Sequence, residues 1–163
     1  ERKLATRAFA AYFVEPLQAE AGVRVASAGY LERAGELCRR YGTLLVLDEV
    51  QTGGERSGAG GGGGQFDVRP DMVVMAKALS GGLVPSSAVL MSNDVYDSVY
   101  DSLKRSIVHT STFSENALSM RASLATLDVL ESERLGERAA ASGEYLRGRL
   151  RERLGGDSMV GED

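Results

Sequence analysis

The chain has 163 residues, of which 43% are hydrophobic and 26% are charged, a composition typical of one globular domain. Its formal net charge is −4 with acids and bases interspersed, which excludes a basic patch for nucleic acid and a polybasic helix for a membrane surface. No apolar run approaches the roughly 20 residues that span a bilayer. The single cysteine, Cys38, excludes an internal disulfide, favours a reducing, cytoplasmic compartment, and is predicted to pack in the core.

The first third of the chain is predicted to alternate strands with helices. Residues 2–10 are predicted to be helical, and residues 11–15 have the apolar pattern of a short buried strand. Apolar side chains at helical spacing predict a helix over Tyr30–Tyr41. Residues 44–50 form a continuous apolar run up to two acids, which is typical of a strand buried on both faces of a parallel sheet.

The rest of the chain continues this alternation. Residues 72–75 and 88–91 are predicted strands, and helices are predicted over residues 94–103, 116–130 and about 133–154. One face of the helix over 116–130 carries small and apolar side chains, namely Leu118, Ala122, Ala125 and Val129. Strands that alternate with helices predict an α/β fold, in which ligands bind at the carboxyl ends of the strands.

Five successive glycines, residues 60–64, interrupt this pattern. A phosphate-binding loop needs glycines at fixed offsets between a strand and a helix, and the P-loop form also needs a following Lys-Ser/Thr. A glycine homopolymer has neither feature and has the largest entropy to lose on ordering. We therefore interpret the segment as flexible or artificial.

An acid and an amine lie at the ends of two predicted strands. Asp48 follows the apolar run 44–47, and Lys77 follows the strand 72–75. Taken alone, Asp48 is interpreted as a solvated or helix-capping acid, or as part of a magnesium site of the kind found in nucleotide enzymes. The latter lacks its phosphate loop, so no metal site is predicted. A lysine behind a buried strand must be desolvated or paired, and desolvation makes an amine a better nucleophile for carbonyls.

Several short motifs in this order resemble the class III pyridoxal-phosphate (PLP) aminotransferases, the ornithine and 4-aminobutyrate aminotransferase group. The resemblance covers nearly the whole chain. The fold that it implies is a partial large domain of a fold type I aminotransferase, a mostly parallel sheet with flanking helices. The matching segments are residues 14–20 (VEPLQAE), 47–53 (LDEVQTG), 56–58 (RSG), 69–71 (RPD), 76–82 (AKALSGG) and 109–113 (HTSTF) with Asn116.

The resemblance implies a role for each site residue. Lys77 would hold the cofactor as an internal aldimine and then move the proton between substrate and cofactor. Asp48 would pair with the pyridinium nitrogen so that the ring accepts electrons. Val50 would pack on one face of the ring, Gln51 would bind the phenolic oxygen, and Glu20 would lie near the substrate.

The resemblance also implies partners. Ser111 and Thr112 resemble the hydroxyl pair that reaches the cofactor phosphate of the neighbouring subunit, which implies a homodimer with a shared active site. An amino donor and an oxo acceptor, a keto acid or an aldehyde, would be the small-molecule partners. Without the resemblance, the two hydroxyl residues are interpreted as a turn before the helix at Asn116.

The resemblance divides the chain at residue 131. Residues 1–131 would form part of the cofactor-binding large domain, and residues 132–163 would begin the C-terminal small domain. The family's phosphate loop and its carboxylate-binding arginine are expected outside this chain, so the isolated chain is expected to be inactive. The alternatives are an aminomutase or racemase of the same family, or a non-catalytic fragment that has lost the cofactor.

Overall fold

The computed structural model of the chain describes residues 1–57 and 68–157. The predicted poly-glycine segment 60–64 lies outside the described residues, as does the last part of the predicted small-domain segment. The described strands are β1 (Ala11–Val14), β2 (Leu17–Gln18), β3 (Arg24–Val25), β4 (Leu44–Asp48), β5 (Met72–Met75) and β6 (Ala88–Met91). The described α-helices are α1 (Tyr30–Tyr41), α2 (Asn93–Val99), α3 (Ala117–Ser132) and α4 (Leu135–Leu154).

The main sheet has the strand order β1-β4-β5-β6. β1 is parallel to β4 and β4 is parallel to β5, whereas β6 returns antiparallel to β5. The predicted mostly parallel α/β sheet with flanking helices is therefore confirmed. A separate two-stranded antiparallel pair, β2 with β3, was not predicted, because two-residue strands leave no periodic pattern in the sequence.

The core lies between β4 and α1. Leu45, Val46 and Leu47 are each only 1% exposed, so both faces of β4 are covered, as the continuous apolar run predicts. Cys38 of α1 is also 1% exposed and packs against Leu45 and Leu47. The predicted packing role of Cys38 is confirmed.

The hydrogen bonds of Asp71 fix the start of β4 against β5. Its Oδ2 accepts from the backbone N–H of Leu45 at 2.7 Å, and its own N–H donates to the carbonyl of Leu45 at 2.9 Å. The Asp71 carbonyl also accepts from the N–H of Ser92. One side chain and its own backbone thus join three segments at the end of the sheet opposite the strand ends that carry Asp48.

Three predicted helices need correction. The predicted helix over 2–10 is wrong, because only Leu4–Thr6 is helical, as a 3₁₀ turn that Arg7 ends at φ 55°. So short a segment has too few hydrogen bonds to offset helix nucleation. The helix predicted over 94–103 ends at Val99, and its cap is Ser92, whose hydroxyl accepts from the N–H of Val95. The last helix begins at Leu135, two residues later than predicted.

The start of α3 is confirmed. Asn116 caps the helix, since its Oδ1 accepts from the N–H of Ser119 at 3.1 Å. Leu118 is 66% exposed and Val129 is 44% exposed, whereas Ser123 is 8% exposed. The hydroxyl side chain of Ser123 is therefore more deeply buried than Leu118 or Val129.

Candidate active site

The register of the parallel sheet brings the acid and the amine to one edge. Asp48, the last residue of β4, pairs with Val74 of β5, and Lys77 follows three residues later. Neighbouring strands lie about 4.8 Å apart, and parallel strands end at the same edge. The separation of 29 positions in sequence (77 − 48) is therefore closed by a single strand pairing.

Asp48 and Glu49 point into different environments. One carboxylate oxygen of Asp48, Oδ1, accepts from the N–H of Val50 at 3.0 Å, which closes the turn that follows β4. Glu49 is only 5% exposed and accepts a short hydrogen bond from the hydroxyl of Thr52. β4 ends at Asp48, so Val50 belongs to the turn and not to the strand.

The side chains of Lys77, Gln51 and Glu20 form a hydrogen-bonded chain. Nζ of Lys77 donates to Oε1 of Gln51 at 2.9 Å, and Nε2 of Gln51 donates to Oε1 of Glu20 at 3.2 Å. The amide thus accepts from a cation and donates to an anion, so both of its ends are used. Three of the predicted site residues, separated by up to 57 positions (77 − 20), are brought into direct contact.

Lys77 is paired, but it is exposed rather than desolvated. Of the two expected states, desolvated or paired, the described chain therefore has the paired one. Its backbone is the unexpected feature: φ is 48°, in the left-handed region, at the first residue of the 3₁₀ turn Lys77–Ser80. Such a conformation costs a non-glycine residue about 1–3 kcal/mol and is found most often at functional sites. Nothing in the sequence at this position signals it.

Lys77 opens onto two cavities on either side of its turn. The first, of 790 Å³, is lined by Lys77 together with Ser111 and Ser114. The second, of 750 Å³, is lined by Lys77, Arg56 and apolar residues of α3. Both volumes lie in the range of about 300–1,000 Å³ typical of small-molecule sites. Ser111 therefore shares a cavity with Lys77 of the same chain, whereas Asp48, Val50 and Thr112 do not line it.

Two side chains near the core have raised pKa values. Burial, helped by the negative charge of Asp71, raises the pKa of the Cys38 thiol above its ordinary value. Burial and a 2.6 Å hydrogen bond to the hydroxyl of Tyr30 raise the pKa of Tyr12 well above its usual range. Both groups therefore stay neutral at physiological pH.

Two searches of the described residues were negative. Within residues 1–57 and 68–157, no three His, Cys, Asp or Glu side chains group closely enough to hold a metal ion. No helix in this part of the chain combines the length and apolar character needed to cross a membrane.

The sequence and the fold of the chain match those of a known enzyme family. Residues 2–162 match the family model of aminotransferase class-III, and the chain belongs to this family.

Ornithine aminotransferases are among its similar relatives. The chain is 44% identical to the mitochondrial ornithine aminotransferase of Rattus norvegicus over 150 residues, which are 92% of this chain and 33% of the rat protein. It is 44% identical to the ornithine aminotransferase of an Exiguobacterium species over 87% of this chain and 34% of that protein.

A solved structure agrees with the sequence comparison. The ornithine aminotransferase of Toxoplasma gondii superposes on 96% of this chain with a TM-score of 0.89 and 41% identity, and its structure has PLP at partial occupancy at the active site. The chain covers 35% of that protein. It therefore spans about a third of the length of the relatives that it matches.

Proposed function

We propose that this chain is part of a PLP-dependent aminotransferase, which moves an amino group from an amino donor to a keto acid or aldehyde. The observation that carries the proposal is the contact of Lys77 with Gln51 at the carboxyl ends of two parallel strands. The amine lies where α/β folds bind ligands, it is held by a neutral acceptor, and it opens onto a cavity of 790 Å³.

The residues at this edge fit PLP by their chemistry. An aldehyde needs an amine, which Lys77 supplies. A basic ring nitrogen needs a carboxylate, which Asp48 supplies. One oxygen of this carboxylate, Oδ1, accepts a hydrogen bond from the backbone N–H of Val50. A phenolic oxygen needs a donor, and the amide of Gln51 provides one. The hydroxyls of Ser111 and Thr112 suit the phosphate of the cofactor in a neighbouring subunit.

Each residue has a defined task in this proposal. Bound PLP would supply an electron sink for the carbon that carries the amino group. Nζ of Lys77 would attach to the cofactor and then carry a proton to and from that carbon. Asp48 would hold the proton on the ring nitrogen, and Val50 would pack on the ring. Glu20 would lie next to the bound substrate, where its carboxylate would pair with an amine or a guanidinium.

A chimera tests this proposal. In it, the chain replaces the matching third of the rat ornithine aminotransferase. We expect the chimera to be coloured by bound PLP, to retain transfer from ornithine, and to keep the cofactor on the peptide of Lys77 after borohydride reduction. The Lys77→Ala chimera should be colourless. A chimera that folds as the rat enzyme does, by circular dichroism and melting, and yet never binds PLP would contradict the proposal.

We further propose a homodimer with a shared active site, in which Ser111 and Thr112 serve the partner's cofactor phosphate. This proposal is supported by the exposure of residues 101–118, which leaves the hydroxyl pair open to a second subunit. Mixing Lys77→Ala and Thr112→Ala chimeras tests it, because a mixed dimer has one site with both residues intact. Recovered activity is expected. Two inactive parents that stay inactive after confirmed subunit exchange would exclude sharing.

The domain boundary and the compartment are proposals as well. We place the cofactor-binding part in residues 1–131 and the start of the small domain at 132, because α3 ends at Ser132 and α4 begins at Leu135. We propose a cytoplasmic location from the free thiol of Cys38. The rat relative is mitochondrial, so imaging of a tagged full-length protein decides between the two compartments.

A further inference from the structure

The loop that follows Lys77 is tied to α3 by serine hydroxyls. The hydroxyl of Ser119 donates to the carbonyl of Pro85 at 2.9 Å. The hydroxyls of Ser86 and Ser123 share a hydrogen bond of 2.8 Å. These three serines, Ser86, Ser119 and Ser123, are called the serine clasp below. The helix thus holds two consecutive loop residues, Pro85 by its carbonyl and Ser86 by its side chain.

The helix presents a row of hydroxyls to this loop. Ser119, Ser123 and Thr126 are spaced i, i+4 and i+7, so they share one face of α3. A Cβ on Gly81 would lie 3.2 Å from Oγ1 of Thr126, which shows how closely the turn approaches the helix. Three leucines of α3 are exposed instead, namely Leu118, Leu124 and Leu127.

Hydrogen bonds within the segment between Lys77 and the serine clasp hold it in a series of turns. Ser80 is fully buried, and its hydroxyl donates a short hydrogen bond to the carbonyl of Val84. The N–H of Gly81 donates to the carbonyl of Ala78 at 2.9 Å. These two hydrogen bonds restrain the segment that joins Lys77 to the residues that α3 holds.

We propose that the serine clasp positions Lys77, which makes its three serines positioning residues for the amine. The clasp anchors on α3 the loop that follows the 3₁₀ turn, β5 anchors the residues before the turn, and Lys77 keeps its left-handed backbone between them. That backbone aims Nζ at Gln51. The contacts that position Lys77 exist in the chain without the cofactor. Only the catalytic role of the positioned amine rests on the proposed function.

Hydroxyl pairs suit this task better than apolar contacts. Apolar packing is non-directional and tolerates sliding of a loop along a helix. A hydrogen bond weakens steeply when its angle or distance changes, so the Ser86–Ser123 pair defines one register of the loop on α3. Ser123 is 8% exposed, so its own hydroxyl is largely shielded from competing water, whereas Ser86 is half-buried.

Amine labelling of the full chain without cofactor tests the clasp. The chain contains three lysines, Lys3, Lys77 and Lys104, so the first and last are internal controls. A small acylating reagent and peptide mass spectrometry give the labelling rate of Lys77 relative to both. The Gln51→Ala variant sets the ratio for a released amine, which we expect to be about threefold above wild type, the effect of losing one hydrogen bond.

The clasp variants have defined expectations. Ser123→Ala and Ser86→Ala should each raise the ratio towards that of Gln51→Ala, and the double variant should raise it no further, because the hydroxyls act as a pair. Ser86→Thr keeps a hydroxyl and should retain the wild-type ratio. Ser98→Ala is the matched control, since it removes a hydroxyl bonded to the carbonyl of Val95 on α2.

Two results would overturn the proposal. One is an unchanged ratio in Ser123→Ala and Ser86→Ala, even if their urea midpoints fall, because the clasp would then only stabilise the fold. The other is an equal rise at Lys3, Lys77 and Lys104, which indicates general loosening. Should Ser123→Ala fail to fold, the loop variant Ser86→Ala decides. Since no cofactor is added, a protein that never binds PLP still gives a clear result.

Discussion

Lys77 follows one strand and Gln51 follows its parallel neighbour, yet Nζ of the lysine donates to Oε1 of the glutamine at 2.9 Å. The contact fixes the amine by an uncharged acceptor. A carboxylate lies one step further, where Gln51 donates to Glu20 at 3.2 Å. The amide of Gln51 therefore orients the amine of Lys77 and lies between it and the carboxylate of Glu20.

The left-handed backbone of Lys77 predicts a conflict between stability and function. We expect the free energy of unfolding of Lys77→Gly to exceed that of Lys77→Ala by about 0.5–1 kcal/mol. Glycine adopts φ 48° without a Cβ clash, and this gain is larger than the extra chain entropy that glycine loses on folding. Urea denaturation of the two variants measures the difference. Comparing these two variants removes the side-chain contact with Gln51 from both. Equal midpoints would show that the backbone is unstrained.

Asp48 combines a structural and a proposed chemical task, which two substitutions separate. Asp48→Asn keeps an oxygen for the N–H of Val50 and removes the charge, whereas Asp48→Ala removes both. In the rat chimera, we expect both variants to weaken PLP binding about 10- to 100-fold, the value of a charge-assisted hydrogen bond. Spectroscopic titration with PLP measures this loss.

Only Asp48→Ala should also lower stability, by about 1 kcal/mol, because the turn loses its acceptor. Thermal melting of the two apo chimeras checks this second expectation. Wild-type PLP affinity in Asp48→Asn would remove the proposed role of the charge at the ring nitrogen.

The prediction about the hydrophobic core concerns Leu47, a residue of β4 that is 1% exposed. We expect Leu47→Ala to lower the free energy of unfolding by about 2–5 kcal/mol through lost transfer energy and a residual cavity. Leu103→Ala is the matched control, because Leu103 is 92% exposed and should change stability by less than about 0.5 kcal/mol. Guanidinium unfolding of both variants measures the contrast, and similar losses would argue against a core centred on β4.

Cys38 predicts a loss of stability in alkali. Burial raises its pKa in the folded chain above the ordinary thiol value of 9.0, so the unfolded chain ionises first as the pH rises. Its contribution is therefore complete below pH 9.0 and is lost above it. We expect the wild type to lose more stability between about pH 8 and about pH 10 than Cys38→Ala does. Urea midpoints at both pH values measure this, and parallel losses would contradict it.

Much of the fold followed from short-range patterns. The apolar run of residues 44–47 predicted a strand covered on both faces, and all its central side chains are buried. The spacing of Leu31 and Cys38 predicted α1 with both of its ends. These elements were predictable because burial on a strand or helix requires a fixed period of apolar residues.

Other elements were not predictable, because contacts outweigh weak local preferences. The face of α3 that carries leucines is exposed, since the loop after Lys77 offers hydroxyls and carbonyls to the opposite face. Residues 2–10 have good helix formers, yet the chain turns at Arg7 to enter β1. Propensity differs by less than about 1 kcal/mol per residue among these residue types, and one turn contact exceeds that difference.

The sequence by itself determined the family, the strand-end acid and amine, and the glutamine between them, because their residue types and order are written in the chain. Only the tertiary structure decided how they meet. Pairing of Asp48 with Val74 brings the two strand ends together, and the left-handed backbone of Lys77 turns its amine towards Gln51. A parallel pairing and a strained φ angle depend on distant contacts, so no local pattern of residues encodes them.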